Sequence, residues 1–264
     1  MEPKLQSAYE RKFKALARRE HTRFKKLEDV ESLYHYNRVG KFLADFVFGA
    51  SDGIVTTFAI VAASAGASLP SLVIIVLGLA NLLGDGISMG LGNYLGKKSE
   101  REYQERQREK EGWEVDNFPE IEREEVRQTL ATMGFGGDGL ESALQVISKD
   151  KKVWVEFMMR YELGIVESDE ITPAIHGFAT FLSFFSAGLI PLLPFLIPAA
   201  GSVALPLSIF STGIALFAVG ALRGTIYPKS WFRGGIEIFL VGSFAAAAAY
   251  LIGFFLQKLI TTFV

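Results

Sequence analysis

The stretch ADFVFGASDGIVTTFAIVAASAGASL, residues 44–69, is apolar and long enough to cross a lipid bilayer, which takes about 20 helical residues. It nevertheless contains two carboxylates, Asp45 and Asp52. A charged side chain at the bilayer centre costs about 2.5–3.5 kcal/mol on insertion scales, so ionisable residues in membrane helices usually have a function. The two aspartates are about two helical turns apart and therefore share one face, about 10 Å apart along the axis. The stretch predicts a membrane helix with a functional polar face.

Charged residues are segregated along the chain. Half of the 264 residues are hydrophobic and the formal net charge is −2, which argues against a nucleic-acid-binding protein. Residues 1–41 and 97–170 are rich in charge, whereas 42–96 and 171–264 contain few charged side chains. This pattern predicts an all-α integral membrane protein with five transmembrane helices and a helical cytoplasmic domain between the second and third. The chain has no cysteine, which excludes disulfides, thiolate metal sites and a cysteine nucleophile.

Five membrane helices are predicted from the apolar segments. They cover residues 42–66, 70–96, 172–198, 203–224 and 231–258. The connections SAGASLPS and IPAAGSVALP carry no charge, whereas basic residues flank the opposite ends of the spans: Lys97, Lys98, Arg223, Lys229 and Arg233. The positive-inside rule then places the N-terminus and residues 97–170 in the cytoplasm and the C-terminus on the other side. The membrane would be the cytoplasmic membrane of a prokaryote, or a vacuolar or other organelle membrane of a eukaryote.

The N-terminal segment 1–41 is basic and has no apolar core of the kind found in cleaved signal peptides. Leucine and phenylalanine recur among its lysines and arginines. Two structures fit this composition: an amphipathic helix on the anionic inner leaflet, or a solvated arm. No chemistry is assigned to this segment.

The second predicted span contains a polar stripe that matches the aspartates of the first. Asn81, Asp85 and Met89 recur at four-residue intervals, and Gly49 leaves room beside the aspartates. Two such stripes facing each other would form a polar, sulfur-containing path through the membrane. Asp45 has an alternative role as the partner of Lys41, one turn away, at the membrane interface.

Small residues on the same span form a second pattern. Gly86 and Gly90, and then Gly92 and Gly96, are four residues apart. Such stripes allow helices to approach closely, either inside one chain or across a dimer. In the third span, Pro191, Pro194 and Pro198 are expected to break or end the helix, as an exit bend or as part of a substrate path.

The segment 97–170 is acidic and arranges its carboxylates in helical pairs. The pairs are Glu102 with Glu105, Glu111 with Glu114, and Glu122 with Glu125, and a later helix carries Met158, Met159 and Glu162. Carboxylates bind hard and borderline cations, and a thioether adds a preference for softer transition metals. The combination is suited to weak, exchangeable capture of divalent metal. The alternative is a solvated acidic surface with i,i+4 ion pairs above a core that contains the methionines.

Four segments in order resemble the vacuolar iron transporter (VIT/CCC) family, over residues 40–260. They read DFVFGASDGIVTTFAIVAASAG, GLANLLGDGISMGLGNYLGKKSERE, MMRYELG and RGGIEIFLVGSFAAAAAYLIG. The D-x3-G-x2-D-G-x2-T motif of the first span rarely coincides with S-M on the second span and an MM-x2-E helix.

The resemblance implies a homodimer of five-span subunits that exports ferrous iron, and related divalent metals such as manganese, from the cytoplasm, in exchange for protons. It implies a transporter and not an enzyme, with no permanently bound cofactor. By this resemblance the membrane path contains Asp45, Asp52 and Met89. It also assigns the ligands of the cytoplasmic metal-binding domain, namely Glu111, Glu114, Glu122, Glu125, Met158, Met159 and Glu162. Glu102 and Glu105 are an alternative to the first glutamate pair.

The sequence departs from the family pattern on the second span. Many relatives have a glutamate where this chain has Asn93, and small apolar residues where it has Asp85. Asn81 also replaces an acidic residue of some relatives. One carboxylate of the path has therefore moved within the membrane.

Three other functions agree less well with the sequence. A Mg²⁺ or Ca²⁺ channel needs only carboxylate rings, but it would not need the methionines. An intramembrane aspartyl protease would need the motif G-x-G-D, whereas Asp85 follows Leu-Leu-Gly. A ferritin-type di-iron oxidase would need Glu-x-x-His pairs, and no histidine of this chain lies three residues after a glutamate.

Overall fold

A computed structural model describes residues 38–166, 171–226 and 230–263 of the chain. The predictions for the N-terminal segment 1–41 therefore fall almost entirely outside the described residues. The chain divides into two compact units, Met1–Ala44 and Asp45–Val264. The second unit contains every candidate site residue.

The described residues form helices and no strands, as the sequence predicts. The α-helices are α1 (Arg38–Gly66), α2 (Ser71–Asn117), α3 (Pro119–Thr132), α4 (Gly137–Ser148), α5 (Lys151–Tyr161), α6 (Pro173–Gly188), α7 (Ala204–Ile226) and α8 (Trp231–Phe263). Two short 3₁₀ helices, Leu193–Leu196 and Pro198–Val203, connect α6 to α7. Pro173 occupies the first turn of α6, where its missing N–H has no helical partner to lose.

Four described helical segments are long and apolar enough to cross a membrane. They are Phe42–Gly66, Ser71–Asn117, Ala199–Gly224 and Trp231–Thr262. Each contains at least one 18-residue window with high mean hydropathy and almost no charge. Four such helices in one chain define an integral membrane protein.

The third predicted span, 172–198, is not one continuous helix. Helix α6 has 16 residues and ends at Gly188, so it is about 24 Å long, whereas the hydrocarbon core of a bilayer is about 30 Å thick. A turn and the two 3₁₀ helices follow. Pro191 and Pro194 lie just beyond the helix end and lack the N–H that a further α-helical turn would need. The fifth span therefore stays a prediction.

The predicted boundary at residue 96 is not a helix end. Helix α2 runs without interruption through 47 residues, from the apolar segment into the acidic one, and passes through Gly112. Residues 97–117 contain no proline, and ion pairs at helical spacing support them on the surface. These pairs are Lys98 with Glu102, Arg101 with Glu105, and Lys110 with Glu114.

The C-terminal part of α2 packs with α3, α4 and α5 to form a small helical domain, here called the acidic domain (residues 97–166). Its core joins side chains from all four helices: Val115, Val126, Leu130, Leu144, Trp154, Val155, Met158 and Met159. The apolar positions of each short helix thus share one interior, and the glutamates lie around it. The acidic segment is therefore folded around a core of its own, and that core contains the methionines.

Glycines bring α6 into backbone contact with its neighbours. A Cβ atom added to Gly49 of α1 would lie 2.6 Å from the carbonyl oxygen of Thr180. Gly86 and Gly90 of α2 face Phe181 and Gly177 of the same α6. The Gly86/Gly90 stripe therefore packs against the chain's own helix α6, which is the first of the two predicted alternatives and leaves no room there for a dimer contact. Small-residue stripes only specify close approach, and here the nearest helix is α6.

Candidate functional site

The Asp45 carboxylate lies in a buried polar cluster between three helices. Asp45 is 7% exposed, His176 3% and Thr180 0%. The imidazole Nδ1 of His176 lies 2.6 Å from Asp45 Oδ2, and Asn93 Nδ2 donates to Asp45 Oδ1 at 2.8 Å. Asn93 Nδ2 also lies 2.7 Å from Thr180 Oγ1. This set, here called the Asp45 cluster, connects α1, α2 and α6.

The second aspartate of α1 faces the carboxylate of α2. Asp52 is half-buried and interacts electrostatically with Asp85, whose own side chain is exposed. One turn before Asp85 on α2, the Nδ2 atom of Asn81 is buried and hydrogen-bonds to no atom of the described chain. One carboxylate from each of the two predicted polar stripes is thus close enough to the other to interact with it. A cation beside Asp52 and Asp85 would relieve the repulsion between two nearby carboxylates.

Met89 links the two polar positions along α2. It lies four residues from both Asp85 and Asn93, so it falls between them on one helical face. Its side chain is partly buried and packs against a core that includes Leu82 and Phe184. The predicted stripe of α2 thus runs on to Asn93, which the sequence marked only as a departure from the family pattern.

His176 and Thr180 were not predicted as site residues. The three histidines were considered only as ligands of a ferritin-type di-iron centre, and their spacing does not fit such a centre. The available signal was a single titratable side chain, His176, near the start of an apolar helix with no other ionisable residue. A buried polar side chain needs a hydrogen-bond partner, and the carboxylate of Asp45 on the first span is a suitable partner for a histidine.

The acidic domain brings the predicted glutamates together. Glu111 on α2 and Glu122 on α3 are only 2% and 4% exposed. Glu114, Glu125 and Glu162 are close enough to Glu122 to interact with it electrostatically. These five side chains are called the Glu122 cluster below. Among the described contacts, none brings the alternative pair into it: Glu102 and Glu105 form exposed ion pairs with Lys98 and Arg101.

Burial and like charge change the protonation of this cluster. Burial, followed by the charges of Glu125 and Glu111, raises the pKa of Glu122 to about 7. Burial is also the largest cause that raises the pKa of Glu111 and of Glu162 above the ordinary value for glutamate. The Glu122 atom Oε2 is buried and has no hydrogen-bond partner in the described chain. The cluster thus places five carboxylates near one another, and their like charge favours the protonated form of its buried members.

Lys110 neutralises part of that charge. Its Nζ donates to Glu114 Oε2 at 2.8 Å and lies 3.7 Å from Glu111 Oε1. The lysine is more than half exposed, so its ammonium sits at the rim of the cluster. The sequence did not single out this residue. A divalent ion entering the cluster would compete with it.

Met158 and Met159 lie in the core of the acidic domain and are almost fully buried. They pack with Trp154 and Val155 of their own helix α5 and with apolar residues of α2, α3 and α4. Within residues 38–166, 171–226 and 230–263, no three acidic or histidine side chains already converge closely enough to hold one ion. The glutamates are adjacent, and ligation would need side-chain rotation toward a shared point.

Buried and half-buried carboxylates within a helical membrane bundle are typical of the class of membrane transporters. Residues 43–254 match the profile of the VIT family, and the chain belongs to that family. It is a family of transporters and not of enzymes.

Named relatives agree with this assignment over most of the chain. Vacuolar iron transporter 1 of Arabidopsis thaliana is 32% identical over 80% of this chain and 84% of its own length. Vacuolar iron transporter 2 of Oryza sativa subsp. japonica is 30% identical over 85% and 91%. The vacuolar iron transporter of Toxoplasma gondii is 33% identical over 86% and 78%.

Proposed function

We propose that the protein transports ferrous iron, and also manganese, out of the cytoplasm in exchange for protons. The observation that carries the proposal is the placement of two carboxylate sites on one continuous helix. Helix α2 contributes Glu111 to the Glu122 cluster and Asp85 to the pair with Asp52. The iron substrate follows from the names of the relatives, which are vacuolar iron transporters.

The acidic domain would capture the metal. Five glutamates offer hard oxygen ligands, and their mutual repulsion falls when a divalent ion binds. Met158 and Met159 lie in the core formed by the same helices, and the thioethers would contribute a preference for softer ions if the core opened toward the glutamates. Because no rigid closed site is present among the described residues, binding is expected to be exchangeable.

The membrane path would consist of Asp45, Asp52, Asn81, Asp85 and Met89. A bound cation favours the ionised form of a carboxylate, so metal arriving at Asp52 would release a proton. A proton returning from the opposite side would then favour release of the metal. This exchange couples transport to a proton gradient without any covalent step.

The proposed topology has five crossings. Helix α6 packs against the membrane segment of α2 at Gly86 and Gly90, which supports its place within the bilayer despite its length. The two 3₁₀ helices would complete that crossing. The N-terminus and the acidic domain would lie in the cytoplasm, and the membrane would be vacuolar or of another organelle in a eukaryote, or cytoplasmic in a prokaryote.

A homodimer is also proposed. A Cβ atom added to Gly92 or Gly96 of α2, which share one helical face, would meet no other described atom within 4 Å, so this face could accept a second copy. Replacement of Gly92 by Leu should then shift the purified protein from dimer to monomer in light scattering. Retention of the dimer would exclude this face as the interface.

The function is tested by transport in proteoliposomes that contain the purified full-length chain. Ferrous iron and manganese should enter at a rate that depends on the pH gradient, and calcium should not. Asp52→Asn should abolish the gradient-driven rate, whereas Asp138→Asn, which removes an exposed carboxylate of α4, should leave it unchanged. Wild-type rates in Asp52→Asn would refute the role of Asp52, and calcium flux independent of pH would favour a channel.

A further inference from the structure

We infer that His176 is a positioning residue of the membrane path, which fixes the Asp45 carboxylate for the arriving metal ion. The inference rests on the proposed transport function and adds a residue of α6 to it. The observation is the buried contact between the His176 imidazole and the Asp45 carboxylate, at 2.6 Å between Nδ1 and Oδ2.

The backbone of α6 is placed by its neighbours, which fixes where His176 can point. A Cβ atom on Gly177 would lie 2.5 Å from the carbonyl oxygen of Gly90 on α2. On the other side, Gly49 of α1 approaches the carbonyl oxygen of Thr180 about as closely. Because α6 is in backbone contact with both α1 and α2 at this level, the imidazole has little freedom to move relative to Asp45.

Both oxygens of the carboxylate are held, each by a different helix. Asn93 of α2 donates to Oδ1 and also to the hydroxyl of Thr180. A bound cation favours the ionised carboxylate, which can only accept, so in the metal-binding form of the site the imidazole donates its Nδ1 hydrogen to Oδ2. The hydrogen bonds therefore fix the rotation of the carboxylate about its own axis, as carboxylate partners fix metal-binding histidines in other proteins.

The two bonds leave the carboxylate able to bind a cation. A carboxylate has about four lone-pair sites, and Asn93 and His176 use one on each oxygen. Along α2, Asn93 lies nearer than Asp85 to the acidic domain, so Asp45 is the first aspartate that an ion from that domain would meet. Loss of the His176 donor should therefore weaken the uptake of metal more than it changes the maximal rate.

The test separates the position of the donor from the mere presence of a polar side chain. In His176→Asn the amide nitrogen takes the place of Nδ1, whereas in His176→Gln it takes the place of Nε2, although glutamine is closer to histidine in size. Both variants, Asp45→Asn and the double variant Asp45→Asn/His176→Gln are assayed as full-length protein in proteoliposomes. Ser186→Ala, which removes an exposed hydroxyl of α6 bonded within its own helix, is the control.

The half-saturating ferrous iron concentration of His176→Gln should rise about tenfold, the usual effect of losing a hydrogen bond to a charged group. His176→Asn should stay within about threefold of wild type, the control should be unchanged, and the double variant should be no worse than Asp45→Asn. Wild-type behaviour of His176→Gln, or equal impairment or misfolding of both His176 variants, would overturn the inference while transport by the wild type still stands. Wild-type transport by Asp45→Asn would instead remove Asp45 from the proposed path, and the inference with it.

Discussion

Gly90 of α2 and Gly177 of α6 bring the backbones of their helices into direct contact. A Cβ atom on Gly177 would lie 2.5 Å from the Gly90 carbonyl oxygen and 2.9 Å from the Tyr94 Cβ atom. No flexible side chain can move aside at the first of these contacts, because the atom belongs to the main chain. The contact also determines how closely α6, which contributes His176 and Thr180 to the Asp45 cluster, approaches α2.

Gly177→Ala should therefore destabilise the protein. Overpacking in a dense interior costs about 1–3 kcal/mol, and the backbone of Gly90 cannot relax locally. The control change Gly139→Ala, at an exposed helical position of α4, meets no described atom within 4 Å and should be neutral or slightly stabilising, since alanine favours helix over glycine. Thermal unfolding in detergent measures both, and equal midpoints for the two variants would contradict the close contact.

The Glu122 cluster should bind metal in a pH-dependent manner. Because the pKa of Glu122 is raised to about 7, protons compete with metal as the pH falls from about 8 to about 6, and the affinity should decrease. Glu122→Gln should bind metal more weakly and lose this pH dependence. Glu124→Gln, an exposed neighbour on α3, should behave as wild type. Calorimetric titration with manganese on the full-length chain distinguishes the two, and an unaltered pH dependence in Glu122→Gln would contradict this assignment.

The raised pKa of Glu122 also predicts how the stability of the metal-free protein depends on pH. The folded chain retains a proton on Glu122 that the unfolded chain releases near its ordinary pKa of 4.5. Stability should therefore fall as the pH rises from about 4.5 to about 7, and it should be insensitive to this group above that range. Glu122→Gln should remove this fall in the metal-free protein. Unfolding midpoints of the two proteins that run parallel across the range would contradict it.

Lys110 should act as a competitor of the metal ion. Lys110→Met keeps the aliphatic stem and removes the ammonium that pairs with Glu114, so metal should bind more tightly. The gain should be at most about fivefold, because exposed ion pairs contribute about 0.2–1 kcal/mol. The control is Lys151→Met, whose ammonium pairs with Asp116 outside the cluster. An equal gain in both variants would point to general electrostatics and not to competition at Glu114.

Met89 should influence which metal is transported. Met89→Leu keeps the apolar volume and removes the thioether, the only soft ligand of the proposed path. Ferrous iron transport should decrease more than manganese transport, so the ratio of the two rates should fall. Competition between the two ions in proteoliposomes measures the ratio. An unchanged ratio would remove Met89 from the ligands, although not from the packing of α2.

The helical class was predictable from the sequence because it depends on local hydropathy and spacing. Glu111 and Glu122 were placed in one ligand set through a family resemblance, and their burial followed only from the packing of α2 to α5. The Asp45 cluster was not predictable in the same way. Its contact with His176 joins residues 131 positions apart, and it depends on how closely α6 can approach α1.

The length of α2 and the position of its C-terminal end also could not be predicted from the local sequence pattern. Hydropathy falls at residue 97, and the prediction placed a boundary there, but a change of solvent need not end a helix whose charged residues form i,i+4 pairs. Helix α6, in contrast, is shorter than its apolar segment. Its sequence stays apolar up to residue 203, yet prolines remove the hydrogen bonds that would continue the helix.

The unbroken α2 makes the distance between the two proposed metal sites a fixed property of the chain. From Asp85 to Glu111 the helix rises about 39 Å at 1.5 Å per residue. A flexible tether would let the acidic domain deliver its ion by diffusing to the membrane surface. A helix acts instead as a lever arm, because any tilt that carries Glu111 sideways must also rotate Asp85 against Asp52. Binding of metal at the Glu122 cluster and opening of the site at Asp52 and Asp85 can thus be one coupled motion of α2.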